Sequence, residues 1–252
     1  MTLSLQTFLI VCPLVFLAGF VDAIAGGGGI ISLPAYMFAG LPMHNVLATN
    51  KFSSTCGGSI ALLRYMKNKC FCPYLVLPTV ILALAGSTVG ANLALFTDDK
   101  YLRYVLLFVL PVVAILVFMK KGTDAETPHT LTRKKEILLS SIIALIIGAY
   151  DGFYGPGTGT FLMLAFTYIV KLDIKEASGN TKCVNFSSNV AALVTFLING
   201  KVIIPLGIAA AICSILGNYF GSGLVIKNGS KIVRPIILLV IAMLFIKIIF
   251  GS

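Results

Sequence analysis

Apolar runs long enough to cross a bilayer recur along the chain, and they fall into two series of similar form. The first comprises residues 5–24, a short piece at 30–39, a more polar run at 46–66, and plain runs at 74–96 and 101–119. The second comprises 137–154, a short piece at 161–170, a more polar run at 177–198, and plain runs at 202–226 and 232–250. About 20 apolar residues cross the hydrocarbon layer, so the longer runs predict about eight full spans. The short pieces are too brief for that. They predict half-helices of broken spans or arms of re-entrant hairpins, each following a glycine-rich break. The fold class expected is an all-α polytopic membrane protein built from two repeats.

The repeat can be followed residue by residue. An offset of 129 pairs Gly19 with Gly148, Asp22 with Asp151, Gly26 with Gly155 and Gly28 with Gly157. After an insertion of two residues, an offset of 131 pairs Lys51 with Lys182, Asn68 with Asn199, and Gly86 and Gly90 with Gly217 and Gly221. Lys100 and Arg103 then meet Lys231 and Arg234. The division expected is a membrane repeat at 1–120, a linker at 121–135 that holds Pro128, and a second membrane repeat at 136–252.

Composition sharpens the class. Of 252 residues 58% are hydrophobic and 11% charged, with a mean hydropathy of +0.99. Soluble domains carry about a quarter charged residues, and disorder needs low hydrophobicity, so both classes are excluded. A net charge of +10 in a soluble protein would invite nucleic acid. Here basic residues sit in short loops beside apolar runs, as the positive-inside rule produces, and no nucleic-acid partner is expected. Arg64, Lys67 and Lys69 crowd one loop, and Lys120, Lys121, Arg133, Lys134 and Lys135 the linker. The second-half counterpart of the first loop keeps only Lys201, whereas the counterpart of the balanced loop at 98–103 holds Lys227, Lys231 and Arg234. That reversal predicts inverted repeats, a plan of secondary transporters that bind substrate near mid-membrane between the repeats. Loops 64–72, 120–135 and 227–234 are expected on the cytoplasmic side.

Two further features change little. Ala23-Ile24-Ala25 has the form of a signal-peptidase site, but no basic stretch precedes Phe8 and the pattern returns near Gly148, so the segment is expected in the mature protein. The six cysteines read as structural thiols, because Cys70-Phe71-Cys72 is too sparse for a zinc site.

The candidate chemistry lies where the halves match. Gly26-Gly27-Gly28-Gly29 and Gly155-Pro156-Gly157-Thr158-Gly159 interrupt apolar runs, since glycine costs about 1 kcal/mol and proline about 3 inside a helix. A helix restarting at Ile30 or Thr160 would offer free N–H groups and a positive dipole end to an anion. Glycines that merely permit close helix packing are the alternative. Lys51, after Asn50, and Lys182, after Thr181, open the more polar runs. A charge at mid-membrane costs about 2.5–3.5 kcal/mol, so the pair predicts an anion site; a lysine near a helix end that snorkels to the interface is the blander reading. Asp22 and Asp151 could accept coupling protons or cap freed backbone N–H groups. Neither glycine cluster continues as Gly-Lys-Ser/Thr, which disfavours a nucleotide loop.

Gly19-Phe20-Val21-Asp22-Ala23-Ile24-Ala25 with the four following glycines, then Leu33-Pro34 and Thr49-Asn50-Lys51, resembles the signature of the TauE/SafE (sulfite exporter) family. Gly148, Asp151, Gly155, Gly157 and the stretch 179–182 carry the resemblance into the second half. It implies a bacterial inner-membrane carrier of sulfite, thiosulfate or small organosulfonates. No cofactor, metal or catalytic residue is expected. The partners expected are the small anion, membrane lipid and a coupling proton or sodium ion, with a homodimer left open. Two other functions compete. Tyr150-Asp151 matches one motif of intramembrane aspartyl proteases, so a hydrolase using Asp22 and Asp151 is one alternative. A passive anion channel, sharing the same lysines and glycines, is the other.

Overall fold

The computed structural model describes residues 4–102, 104 and 131–228. These residues contain no strand and eight bounded helices: α1 (Leu5–Ala25), α2 (Gly29–Phe38), α3 (Met43–Lys67), α4 (Pro73–Phe96), α5 (Arg133–Phe153), α6 (Thr158–Tyr168), α7 (Ile174–Ile198) and α8 (Ile204–Asn228).

Local chemistry sets the ends. Ser4 caps α1 by accepting from the Thr7 N–H at 3.3 Å, and Asp173 caps α7 by accepting from Lys175 and Glu176 at 2.6 and 3.2 Å. Pro73 begins α4, where its missing N–H has no intrahelical use. Gly26 ends α1 with φ 75° and Gly157 precedes α6 with φ 81°, a left-handed conformation that glycine adopts without steric cost. The start of α5 is unusual, because Arg133, Lys134 and Lys135 oppose its dipole. Glu136 in the same turn offsets them, accepts a hydrogen bond from the Tyr74 hydroxyl, and Arg133 stacks on the Tyr74 ring at 4.5 Å.

Five of these helices, α1, α4, α5, α7 and α8, are long and apolar enough to cross a membrane. α3 has the same length as α7, 25 residues, but its polar stretch from Thr49 to Thr55 keeps it out of that group. Of the eight spans predicted, the one at 101–119 (apart from its first residues) and the one at 232–250 lie outside the described residues. The predicted linker lies outside them up to residue 130. Its last three residues belong to α5, so the second half begins as helix at Arg133 and not at residue 136. The two short pieces form helices of 10 and 11 residues, α2 and α6.

Among the described residues the most extensive packing joins α4 to α5 and α1 to α8, helices of opposite halves. Small residues permit it. A Cβ on Gly86 or Gly90 would strike the Leu145 or Ala149 carbonyl of α5, and one on Gly152 the Ser87 carbonyl of α4. Gly217 and Gly221 on α8 meet the Phe16 and Phe20 carbonyls of α1 in the same way. At these positions the packing reading of glycine is the correct one.

Contacts also give the helix directions. Along α4 and α5, Tyr74 meets Glu136, Gly148 meets Ala83 and Gly90 meets Phe153, so the two run parallel. α3 runs parallel to α8, with Phe52 at Gly207, Gly57 at Ser214 and Arg64 at Gly223. α3 and α7 run antiparallel. The start of α3 donates from Asn45 to the Lys201 carbonyl just past α7, at 2.7 Å, and Gly179 near the start of α7 abuts the Cys70 carbonyl just past α3.

The bundle is apolar outside, and it buries polar residues within an apolar core. Leu9, Phe96, Ile146 and Ile212 are exposed, whereas Thr49, Asn180 and Ser188 are fully buried. The apolar exterior suits lipid as the surrounding solvent. One end of the bundle gathers basic residues: Arg64 lies against Gly223 near Lys227, and Arg133 lies over Tyr74, a few residues past Lys67 and Lys69. The other end holds the His44–Asp99 pair at 2.6 Å.

Gly90→Leu is expected to lower thermal stability in detergent by at least the 1–3 kcal/mol typical of overpacking, roughly, because a backbone carbonyl and not a side chain must move. Gly58→Ala, where nothing lies within 4 Å of a new Cβ, is expected to melt like the parent. Equal melting of the two variants would contradict the packing described for α4 and α5.

Candidate functional site

The breaks between α1 and α2 and between α5 and α6 meet each other. Gly26 and Gly159 approach so closely that a Cβ on either would overlap the other's backbone, and the Thr160 N–H donates to the Gly26 carbonyl at 3.2 Å. Around this contact lies a polar cavity of about 30 Å³. A water needs about 10–15 Å³ of such space, so the cavity admits a water or two and no larger ion. Gly29 and Thr158, the first residues of α2 and α6, lie in its wall, which brings both helix N-termini to it.

Both lysines reach the cavity, and both arrive paired. Lys51 Nζ lies 2.8 Å from Asp151 Oδ2, with side chains 3% and 2% exposed. Lys182 Nζ lies 2.7 Å from Asp22 Oδ2 and also donates to the Asp22 carbonyl. Each lysine thus takes its carboxylate from the opposite half. Asp151 Oδ2 additionally accepts from Ser188 at 2.6 Å, and Ser188 accepts through its carbonyl from Ser87. Gly155, with φ 97°, leaves the space the first pair occupies: a Cβ there would sit 3.0 Å from Asp151 Oδ1 and 3.1 Å from Lys51 Nζ.

Of the residues marked in the sequence, Asp22, Gly26, Gly29, Asn50, Lys51, Asp151, Gly155, Gly159 and Lys182 line the cavity. Gly27, Gly28, Gly157 and Thr181 do not. Gly28 packs on the Asp22 side chain, Gly157 makes the turn into α6, and the Thr181 hydroxyl is buried without a hydrogen-bond partner. Three expectations change with the geometry. The Ile30 N–H is already taken by Gly27 O at 3.2 Å and the Thr160 N–H by Gly26 O, so neither is a free donor. The lysines stand about two turns inside α3 and α7 rather than at their openings. The carboxylates hold ammonium groups, so lysine pairing takes the place of backbone capping. Ser54, Gly58, Asn185, Phe186 and Asn189 complete the wall. Their spacing carried a signal: Lys51, Ser54 and Gly58 repeat as Lys182, Asn185 and Asn189, one helix face in each half.

Apolar-faced helices around a buried, ion-paired polar cavity define a polytopic membrane protein. The profile of the family described as "Sulfite exporter TauE/SafE" matches residues 11–248, and the chain belongs to that family. It is 34% identical over 233 residues to "Probable membrane transporter protein ORF9" of Sinorhizobium sp, covering 92% of this chain and 88% of the relative. It is 34% identical over 238 residues to "Probable membrane transporter protein YfcA" of Escherichia coli K12, covering 94% and 87%. "Probable membrane transporter protein YdhB" of Bacillus subtilis is 24% identical over 230 residues, covering 85% and 89%. No solved structure matches. The chain is a membrane transporter and not an enzyme. The hydrolase alternative is thereby overturned, and the geometry gives the reason: Asp22 and Asp151 are each bound to a lysine and form no carboxylate dyad.

Removing one member of a buried pair strands the other charge, which costs about 3–5 kcal/mol. Lys51→Met is therefore expected to destabilise the protein by that order, and Lys51→Met with Asp151→Asn to recover most of the loss. Denaturation of the reconstituted variants checks this. A double variant no more stable than the single one would refute a net ionic contact at this position.

Proposed function

We propose that the protein is a secondary transporter of small sulfur-containing anions such as sulfite, thiosulfate or organosulfonates. The observation that carries the proposal is the cavity itself. Its wall is drawn from both halves, and its two ammonium groups are held by carboxylates that an anion could replace. An arriving oxyanion meets Lys51, Lys182, the amides of Asn50, Asn185 and Asn189, and two helix N-termini. Hydrogen bonds to a charged group are worth about 1.5–3 kcal/mol each, enough for selective binding if a few form together. The cavity is too small for the anion as it stands, which favours a carrier that rearranges over an open channel.

The proposed architecture is an inverted repeat in a bacterial inner membrane. Supporting it, the equivalent helices α3 and α7 run antiparallel, as a twofold axis in the membrane plane requires. The basic end of the bundle is assigned to the cytoplasm. Asn68 ends α3 and Asn199 ends α7, so single cysteines placed there are expected to react with impermeant reagents from opposite faces. Labelling of both from one face would sink the inverted arrangement.

Function is tested by counterflow and net flux of sulfite, thiosulfate, sulfoacetate and taurine in proteoliposomes, with and without a pH gradient. At least one anion is expected to exchange. Lys182→Met is expected to weaken its affinity roughly ten- to hundredfold, while Lys100→Met, altered at an exposed residue, keeps the parent value. Exchange of none of the four, or full affinity in Lys182→Met, would reject the proposed anion site.

A further inference from the structure

The two ion pairs are equivalent in sequence but not in surroundings. The Asp22 side chain is 21% exposed, against 2% for Asp151. Asp151 is held by the Ser188 hydroxyl, whereas the position matching Ser188 in the first half is Gly57, which has no hydroxyl to give. Asp22 also borders a second small cavity, bounded by Ser32, Ser53, Ser54, Ser214 and Asn218, with about 10 Å³ of space. That is room for one water. The Asn218 Oδ1 atom is buried without a protein partner, so a water there would find an acceptor waiting. The same positions around Asp151 carry Val184 for Ser53, Ala83 for Ser214 and Ser87 for Asn218, and Ile147 stands where the first half has Ala18. Asp22 has a polar annex; beside Asp151, Val184 and Ala83 replace two of its serines, while Ser54 and Asn218 keep the polar counterparts Asn185 and Ser87.

We infer that Asp22, and not Asp151, takes up the coupling proton from water in this annex, while Asp151 holds Lys51. What the proton accompanies rests on the anion-transport reading above. A hydronium in the annex gives its proton to an Asp22 carboxylate oxygen and leaves as water. The ionic hold on Lys182 ends, and Lys182 remains an ammonium with N–H bonds free for the anion. The four charged groups pass from zero to +1, and a monoanion restores neutrality. One proton therefore travels with one negative charge, in the same direction.

The groups facing Asp22 allow this. Lys182 reaches it from α7 at 2.7 Å. From α3 come Lys51, within Coulombic reach, and Tyr65, whose hydroxyl donates to the Ala23 carbonyl. α2 brings Tyr36, 2.9 Å from Ser53 Oγ, with Cys12 and Cys213 beyond it. From α8 the annex receives Ser214 and Asn218, both uncharged, and α6 contributes Thr158 and Gly159. Among the described residues no other carboxylate lines the annex that Asp22 borders.

Infrared difference spectra of the whole protein in liposomes, recorded as pH falls, test the assignment without any substrate. Nine acidic side chains contribute protonated-carboxyl bands; one component is expected in the parent and in Asp151→Asn and is expected to be missing in Asp22→Asn. Survival of that component in Asp22→Asn overturns the inference. Ser53→Val, which installs the residue of the other half, gives a second reading that does not depend on either aspartate variant folding. It is expected to lose uptake driven by a pH gradient while thiosulfate counterflow at equal pH continues. Gradient-driven uptake at the parent rate in Ser53→Val would also overturn it. If the parent exchanges none of the four anions, the anion reading fails by itself, and the infrared band still decides Asp22.

Discussion

An ammonium or carboxylate placed inside a helical bundle in lipid must find an opposite charge or hydrogen-bonding partners, because lipid cannot solvate it. Here that requirement is met across the halves. Lys51 belongs to the first and its partner Asp151 to the second; Lys182 belongs to the second and its partner Asp22 to the first. The close approach of α4 to α5 and of α1 to α8, and the touching of the breaks at Gly26 and Gly159, follow from the same need. They bring the ends of α1 and α5, where the aspartates stand, within reach of the middle of α7 and α3.

The sequence shows most of the parts. Two halves of matched pattern, the short helices after glycine breaks, and the lysines and aspartates are all legible, because hydropathy, helix breaking and intramembrane charge leave strong local signals. Asn185 and Asn189 were legible too, given that they repeat the spacing of Ser54 and Gly58 from the lysines. The pairing was not legible. An internal repeat says which residues are equivalent, and equivalence is silent about which residues touch. Lysines without visible partners therefore read as free positive charge, although each is neutralised from the other half.

Glycine was the residue type whose role the sequence left most open. Gly86, Gly90, Gly217 and Gly221 serve packing, where a Cβ would strike a carbonyl on the neighbouring helix. Gly155 serves the site, because its missing side chain is the volume the Lys51–Asp151 pair fills. Gly26 serves both, as a left-handed turn and as the contact with the other break. Nothing local distinguishes these cases. What decides is the identity of the atom across from the glycine, a fact of tertiary structure alone.

A carrier made of two equivalent halves can reach its opposite-facing state by letting each half adopt the other's conformation. Backbone shapes exchange in that motion, but side chains do not. Ser53 and Val184 keep their places, as do Ser214 and Ala83, so the polar annex stays with Asp22 whichever side is open. On the proposed reading the lysines take turns, but the proton stays with the carboxylate that borders the annex. Equal halves would give a carrier with two interchangeable proton sites and no preference between them. On the same proposed reading, the substitutions that break the equivalence around Asp22 leave one proton site beside two lysines, and one proton then accompanies one negative charge.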